Sequence, residues 1–250
     1  MINALRAEWI KLRTIRMNWV LVIIAIAFPL IVSGLISALS DDIDAGDLLG
    51  AIQGTSVITA MLLGVIGAST ITGEFGFGTI RPTFAAIPKR MVVIVAKAIV
   101  TVVVAMVVEA VVVLTCIVVS SSIASSRDFD IDLGDEPAAQ AAIIGIVLFA
   151  AIVSLLGYGL GLLIRNTPAS VAILILWPLV AESIVGAVLS AAGVEHPFKW
   201  LPYNAGISLA DPSTSRLDEA LSRVNSGLYF FAVTAAITLI GAIATNRRDA

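Results

Sequence analysis

The chain has 250 residues, 59% apolar and 13% charged, with a mean hydropathy of +1.03. That composition excludes a soluble globular domain and makes the lipid bilayer the solvent. The net charge of −3 carries no nucleic-acid footprint, and the single cysteine, Cys116, excludes an internal disulfide and reads as a buried structural thiol.

In chain order, segment 1–17 places Ile2, Leu5, Trp9 and Leu12 at helical spacing on one face, with Arg6, Arg13 and Arg16 largely elsewhere. This pattern suits a helix lying in the inner membrane interface and leading into the bundle through an elbow. With Lys11, these basic residues precede an apolar run about twice as long as the apolar core of a signal peptide, which reads as a retained signal anchor. A spanning helix needs roughly 20 mostly apolar residues. Six segments qualify, at 18–39, 48–72, 91–123, 138–164, 168–192 and 227–245. The expected fold is all-α, a single polytopic transmembrane domain over 1–250 with a cytoplasmic loop at 73–90 and an external connection at 193–226.

Charge sets the orientation. With the N-terminus inside, the cytoplasmic side collects Arg6, Lys11, Arg13, Arg16, Arg81, Lys89, Arg90, Lys97, Arg165, Arg247 and Arg248. Only Arg127, Lys199, Arg216 and Arg223 fall outside, so both termini are expected in the cytoplasm. The first external loop holds Asp41, Asp42, Asp44 and Asp47 and the second Asp128, Asp130, Asp132, Asp135 and Glu136, a solvated outer surface without the spacing of an EF-hand.

The loop after the second span reads Gly73-Glu74-Phe75-Gly76-Phe77-Gly78-Thr79-Ile80-Arg81-Pro82-Thr83, then Pro88-Lys89-Arg90, with Lys97 entering the next apolar run. Aromatic residues among glycines on the wet side point to a contact surface. Lys97 is near enough to the inner surface to snorkel. Here the sequence resembles the permease subunits of type-2 ABC exporters, in the short six-helix bacterial form. That family carries an E-(F/Y)-x-x-G-T-(I/L)-R segment after span two, matched by Glu74, Phe75, Gly78, Thr79, Ile80 and Arg81; Gly76 and Phe77 depart from its usual polar or basic residues. The resemblance covers the whole chain. It implies an interfacial N-terminal helix and a coupling helix between spans two and three, with Glu74, Phe75, Phe77, Gly78, Thr79 and Arg81 docking on a partner ATPase. It also implies that the external connection at 193–226 is partly re-entrant, and it implies a second permease subunit, a plasma-membrane location, and MgATP held on the partner and no cofactor on this chain.

Beyond the fifth span, Phe198, Trp200 and Tyr203 are the residue types expected at a membrane interface, broken by Pro197 and Pro202. Glu109 and Glu182 fall mid-span, where an ionised carboxylate costs a few kcal/mol. They are candidates for a translocation path or a proton site, or else structural hydrogen-bonding groups. Pro178 is expected to kink the fifth span. Ala60, Gly64 and Ala68, and Gly157 and Gly161 with Ser154 and Gly159 nearby, form small-residue stripes that let helices approach closely, within the bundle or against a second subunit.

No phosphate-cradling Gly-Lys-Ser/Thr sequence is present, so nucleotide chemistry is assigned to another chain and this one is expected not to be an enzyme. Gly67-Ala68-Ser69-Thr70 approaches an intramembrane serine-protease motif, yet the lone His196 belongs to the opposite membrane face. One His and one Cys at different depths cannot assemble a metal site. The expected function is the permease subunit of an ATP-binding cassette exporter for an amphiphilic substrate such as a drug, antibiotic peptide or lipid-like molecule. A proton-coupled secondary transporter using Glu109 or Glu182, and a non-transporting assembly or immunity protein, are the alternatives.

Overall fold

The computed structural model describes all residues except 41, 43, 88, 130–136, 212–220 and 248–250. Asp41, Pro88, Asp130, Asp132, Asp135, Glu136, Arg216 and Arg248, named above, lie outside the described residues. Among those described there is no strand, and six helical segments are long and apolar enough to cross a membrane. The protein is an all-α polytopic membrane protein.

A short helix α1 (Ile2–Thr14) leads at Ile15 into α2 (Arg16–Leu39), the first span. The elbow is fastened by side chains of α2 that satisfy carbonyls at the end of α1: Asn18 Nδ2 donates to Leu12 O at 2.8 Å and Trp19 Nε1 to Arg13 O at 2.7 Å. The second span, α3 (Ala45–Gly76), starts at a capping box in which Asp44 and Asp47 exchange side-chain and backbone hydrogen bonds. Two of the carboxylates expected in the first external loop therefore have a helix-starting role. A turn and the short α4 (Ile80–Ala86) connect to the third span, α5 (Arg90–Ser125). At the far end of α5, Arg127 Nη1 donates to the carbonyls of Ser37 and Ser40 at 2.9 and 2.7 Å, placing a cation on the C-terminal carbonyls of α2.

The fourth span is α6 (Pro137–Ile164). The fifth is divided into α7 (Thr167–Leu176), a π turn (Trp177–Ala181) and α8 (Glu182–Ala191). Pro178 has no N–H to give, and at that position the helix widens by one residue per turn. A 3₁₀ turn (Pro197–Trp200) and α9 (Pro202–Ala210) precede the sixth span, α10 (Arg223–Arg247).

The two small-residue stripes meet one another. A Cβ on Gly157 would collide with the carbonyl oxygen of Gly64, one on Gly67 with that of Ser154, and one on Gly161 would crowd Ala68 and Ile71. In lipid, where apolar surface is not expelled by water, such backbone contact is what holds helices together. The α3–α6 pair is thus the core of the subunit, and 56% and 50% of their spanning windows are buried, against 17% for the fifth span. On the other side of α6, Gly159 abuts Thr238 and Gly241 abuts Leu162, which seats α10. The helix α9 is tucked against α6 and α10, where Gly145 accommodates the Leu209 backbone and Gly206 the Phe230 ring. Gly157→Ala should lower stability in detergent by about 1–3 kcal/mol through overpacking. Gly73→Ala, in the partner core helix α3 but with nothing near its added methyl, should be neutral or stabilising by up to about 1 kcal/mol. Thermal unfolding of the two variants checks the contrast.

Candidate functional site

Four charged side chains converge at the α1 end of the bundle. Lys97, about two turns into α5, is 2% exposed and pairs with Glu8 of α1 and with Glu74 Oε1 at 2.8 Å in the last turn of α3. Lys11 of α1 closes the ring, with Nζ 2.8 Å from Glu74 Oε1 and 3.0 Å from Glu8 Oε1. Glu8 and Glu74 are themselves 6% and 9% exposed. Two acids and two bases sum to zero charge, which is what lets so many ions leave water together. Burial alone would lower the Lys11 pKa, but hydrogen bonds and charge from Glu74 and Glu8 more than offset it, and the pKa stands above the usual 10.5.

This geometry corrects two expectations. Lys97 does not snorkel to the surface; the two carboxylates hold it inside. The face of α1 turned to the bundle carries Ala4, Glu8 and Leu12, and Ile2 and Trp9 point outward, because Glu8 is drawn to Lys97. Glu8 had given no sequence signal beyond being the one acid in a basic segment.

The residues of the loop fall into two sets. Glu74 is turned inward to the charge cluster, and Phe75 is half-buried with the Arg165 guanidinium 4.6 Å from its ring centre. Phe77, Gly78, Thr79 and Arg81 are exposed, Phe77 to 88%. Gly78, at φ +69°, supplies the left-handed turn that ends α3 and starts α4. Underneath, Ile80 and Phe84 of α4 are buried with Ile71, Val93, Ile94 and Tyr158, so the exposed turn is fixed on both sides. A cavity of about 340 Å³ opens beside it, walled by Ser69, Thr70, Glu74, Phe77, Lys97 and Thr101 among others.

The mid-span carboxylates are both fully buried, in different surroundings. Glu182, the first residue after the π turn, receives four N–H donors: Trp177 Nε1 at 3.1 Å, the backbone N–H groups of Tyr203 and Asn204 at 2.8 and 3.0 Å, and Asn204 Nδ2 at 2.7 Å. Its carboxyl oxygens cap the N-terminus of α9 from a different span. Among the described residues Glu109 takes its side-chain hydrogen bonds from Thr59. Beside Glu182 lies an apolar cavity of about 250 Å³ walled by Leu160, Leu174, Trp177, Pro178, Tyr203 and Phe230 among others.

Of the three aromatic residues expected at the outer interface, Phe198 and Trp200 are exposed, at 45% and 54%. Tyr203 is a correction: it is 2% exposed, edge-on to Phe149 and Phe230, because its N–H is drawn to Glu182. No group of His, Cys, Asp and Glu among the described residues could hold a metal ion.

A family model described as ABC-2 family transporter protein matches residues 4–181. The chain belongs to the ABC-2 transporter family. Comparison with curated proteins gives no match. The matched stretch of this ABC-2 transporter contains the whole charge cluster and the loop, and ends one residue before Glu182.

Removing one ion from a buried set leaves its partners uncompensated, so Lys97→Met should cost about 3–5 kcal/mol and free α1. Thermal unfolding and tryptic cleavage at Lys11 and Arg13 measure both effects; unchanged cleavage would mean that α1 is held by other contacts. The Lys11 pKa is raised on folding, so its contribution is complete below about 10.5 and is lost only as pH climbs through the raised value. Stability of the wild type should therefore show no loss from this lysine between neutral pH and pH 10.

Proposed function

We propose that this ABC-2 transporter chain is the membrane subunit of an ATP-driven exporter in a bacterial plasma membrane, with both termini in the cytoplasm. It works beside a second permease chain, like or unlike, and above cytoplasmic ABC ATPase subunits that bind MgATP. The observation that carries this reading is Phe77, a large apolar side chain 88% exposed on a turn whose two flanks are rigidly fixed. An exposed aromatic on a rigid mount is the form of a docking anchor. Arg81, exposed one turn further on, supplies a charge to the same face.

Force applied by an ATPase at Phe77 to Arg81 would reach Glu74 within a turn of helix, and from there Lys97 and Glu8. The membrane end of α5 and the helix α1 would then follow the loop as one body. The orientation rests on the sorting of lysine and arginine, eleven against four. In that orientation α1 lies at the inner interface, with Ile2, Trp9 and Ile10 toward lipid. An amphiphilic substrate suits the two cavities, one apolar beside Glu182 and one of mixed lining beside the charge cluster. The four N–H donors on Glu182 give that carboxyl group a structural use, joining the fifth span to α9.

The test is affinity purification of the tagged chain from its native membrane with identification of the proteins recovered. Wild type should bring down an ATPase subunit; Phe77→Ala and Arg81→Glu should each weaken recovery about tenfold or more with thermal stability unchanged, as expected for anchor residues. A wild-type preparation without an ATPase, or full recovery by both variants, contradicts the proposal.

A further inference from the structure

Glu109 has no role in the coupling described above, and its hydrogen bonds fix its protonation by counting. Thr59 Oγ1 lies 3.0 Å from the Ser56 carbonyl oxygen and 3.1 and 3.0 Å from Glu109 Oε1 and Oε2. A hydroxyl has one proton to give. If Glu109 is ionised, that proton is its sole hydrogen bond in a fully buried, membrane-level site, and the Ser56 carbonyl loses its share. If Glu109 is protonated, Thr59 donates to Ser56 and the carboxyl O–H donates to Thr59, so both protons are used and no charge is buried, with the second carboxyl oxygen left as a neutral acceptor. Among the described residues no charged group of α2, α3 or α6 interacts with Glu109, and the nearest titratable group on α5 is Cys116, about two turns away. The contrast with Glu182 and its four N–H donors is complete.

The surroundings of Glu109 are unlike in the two directions along the bundle. Toward Lys97 the next polar group on its helix face is Thr101, eight residues or roughly 12 Å away and itself a buried hydroxyl without a hydrogen-bond partner, so what separates the two ends is the apolar stretch between it and Glu109. The buried residues between are Ala105 with Ala60 and Leu63 of α3. Toward Arg127 the buried faces carry Thr55 and Ser56 of α3, Ser33 and Ser37 of α2, and Cys116 and Ser120 of α5. Two of these, Ser37 Oγ and Ser120 Oγ, are fully buried with no hydrogen-bond partner. A hydroxyl cannot be left unserved at that depth, and a bound water is the ligand small enough to serve it.

We propose that Glu109 is a proton-binding site, protonated at rest, whose proton exchanges with the Arg127 end of the bundle along a water-bearing seam of hydroxyls and is sealed from the Lys97 end by the Ala105–Leu63 layer. Loss of the proton would leave an unpaired charge where α2, α3 and α5 meet, so the packing of that junction depends on the pH at the Arg127 end. The site is independent of the ATPase reading, and only the naming of its open side as external rests on the orientation proposed above.

Dicyclohexylcarbodiimide, which is soluble in membranes and modifies protonated carboxyl groups, tests the site in sealed proteoliposomes of the full chain, read by mass spectrometry. Ser126→Cys, scored with a membrane-impermeant maleimide while Cys116 stays buried, establishes which end faces out. Glu109 should be labelled and Glu182 not. Labelling should fall as the medium at the Arg127 end is made alkaline, by up to about tenfold per pH unit, and stay constant when only the Lys97 end is changed. Labelling that ignores the Arg127-end pH, or follows the Lys97 end, overturns the route. In parallel, the infrared carbonyl band of a protonated carboxyl should be present in wild type and absent from Glu109→Gln. Loss of an ionised-carboxylate band in its place overturns the protonation.

Discussion

The arrangement of this ABC-2 transporter depends on one constraint: ions buried at one end of a membrane bundle must arrive with their counter-ions or not at all. Lys97 cannot be 2% exposed without acids beside it, and the two it has come from different elements, Glu8 from α1 and Glu74 from the end of α3. The requirement to neutralise one lysine thereby ties an N-terminal helix, a core span and a third span together. Lys11 makes the tie mutual by bonding both acids. Because the cluster sits directly beneath the exposed turn at Phe77, the same contacts that satisfy electrostatics also set the mount of the loop.

A second constraint acts in the lipid-level part. Without water to drive apolar surfaces together, α3 and α6 associate through the close backbone approach that Gly64, Gly67, Gly157 and Gly161 permit. Around that pair the outer spans are loosely covered, the fifth least of all. It is also the span broken by a π turn, and Glu182 just after the break anchors α9. The fifth span and α9 are therefore joined by hydrogen bonds to one carboxyl group, and the core pair by shape.

Hydropathy and length made the six spans legible in the sequence, because a bilayer imposes a fixed length of apolar residues on any helix that crosses it. The small-residue stripes were legible too, although only the structure shows that α3 and α6 turn them toward each other. What the sequence concealed were partners supplied from elsewhere in the chain. Glu109 and Glu182 look alike as carboxylates in apolar runs, but one meets a single hydroxyl and the other four N–H groups, two of them backbone groups that every sequence has. Tyr203 reads as an interface aromatic and is buried by its own N–H. Glu8 is a lone acid in a basic helix, and it gains meaning only once Lys97, 89 residues on, is placed beside it.

The most direct measurement of the central claim is a double-mutant cycle on unfolding, pairing Glu8→Gln with Lys97→Met. If the cluster unites α1 with α5, the two losses are strongly non-additive, with a coupling of about 1 kcal/mol or more, and the double variant is less damaged than the sum of the singles. Additive losses, within about 0.5 kcal/mol, would show that the two residues stabilise their helices separately and that the cluster is not the joint on which the α1 end is built.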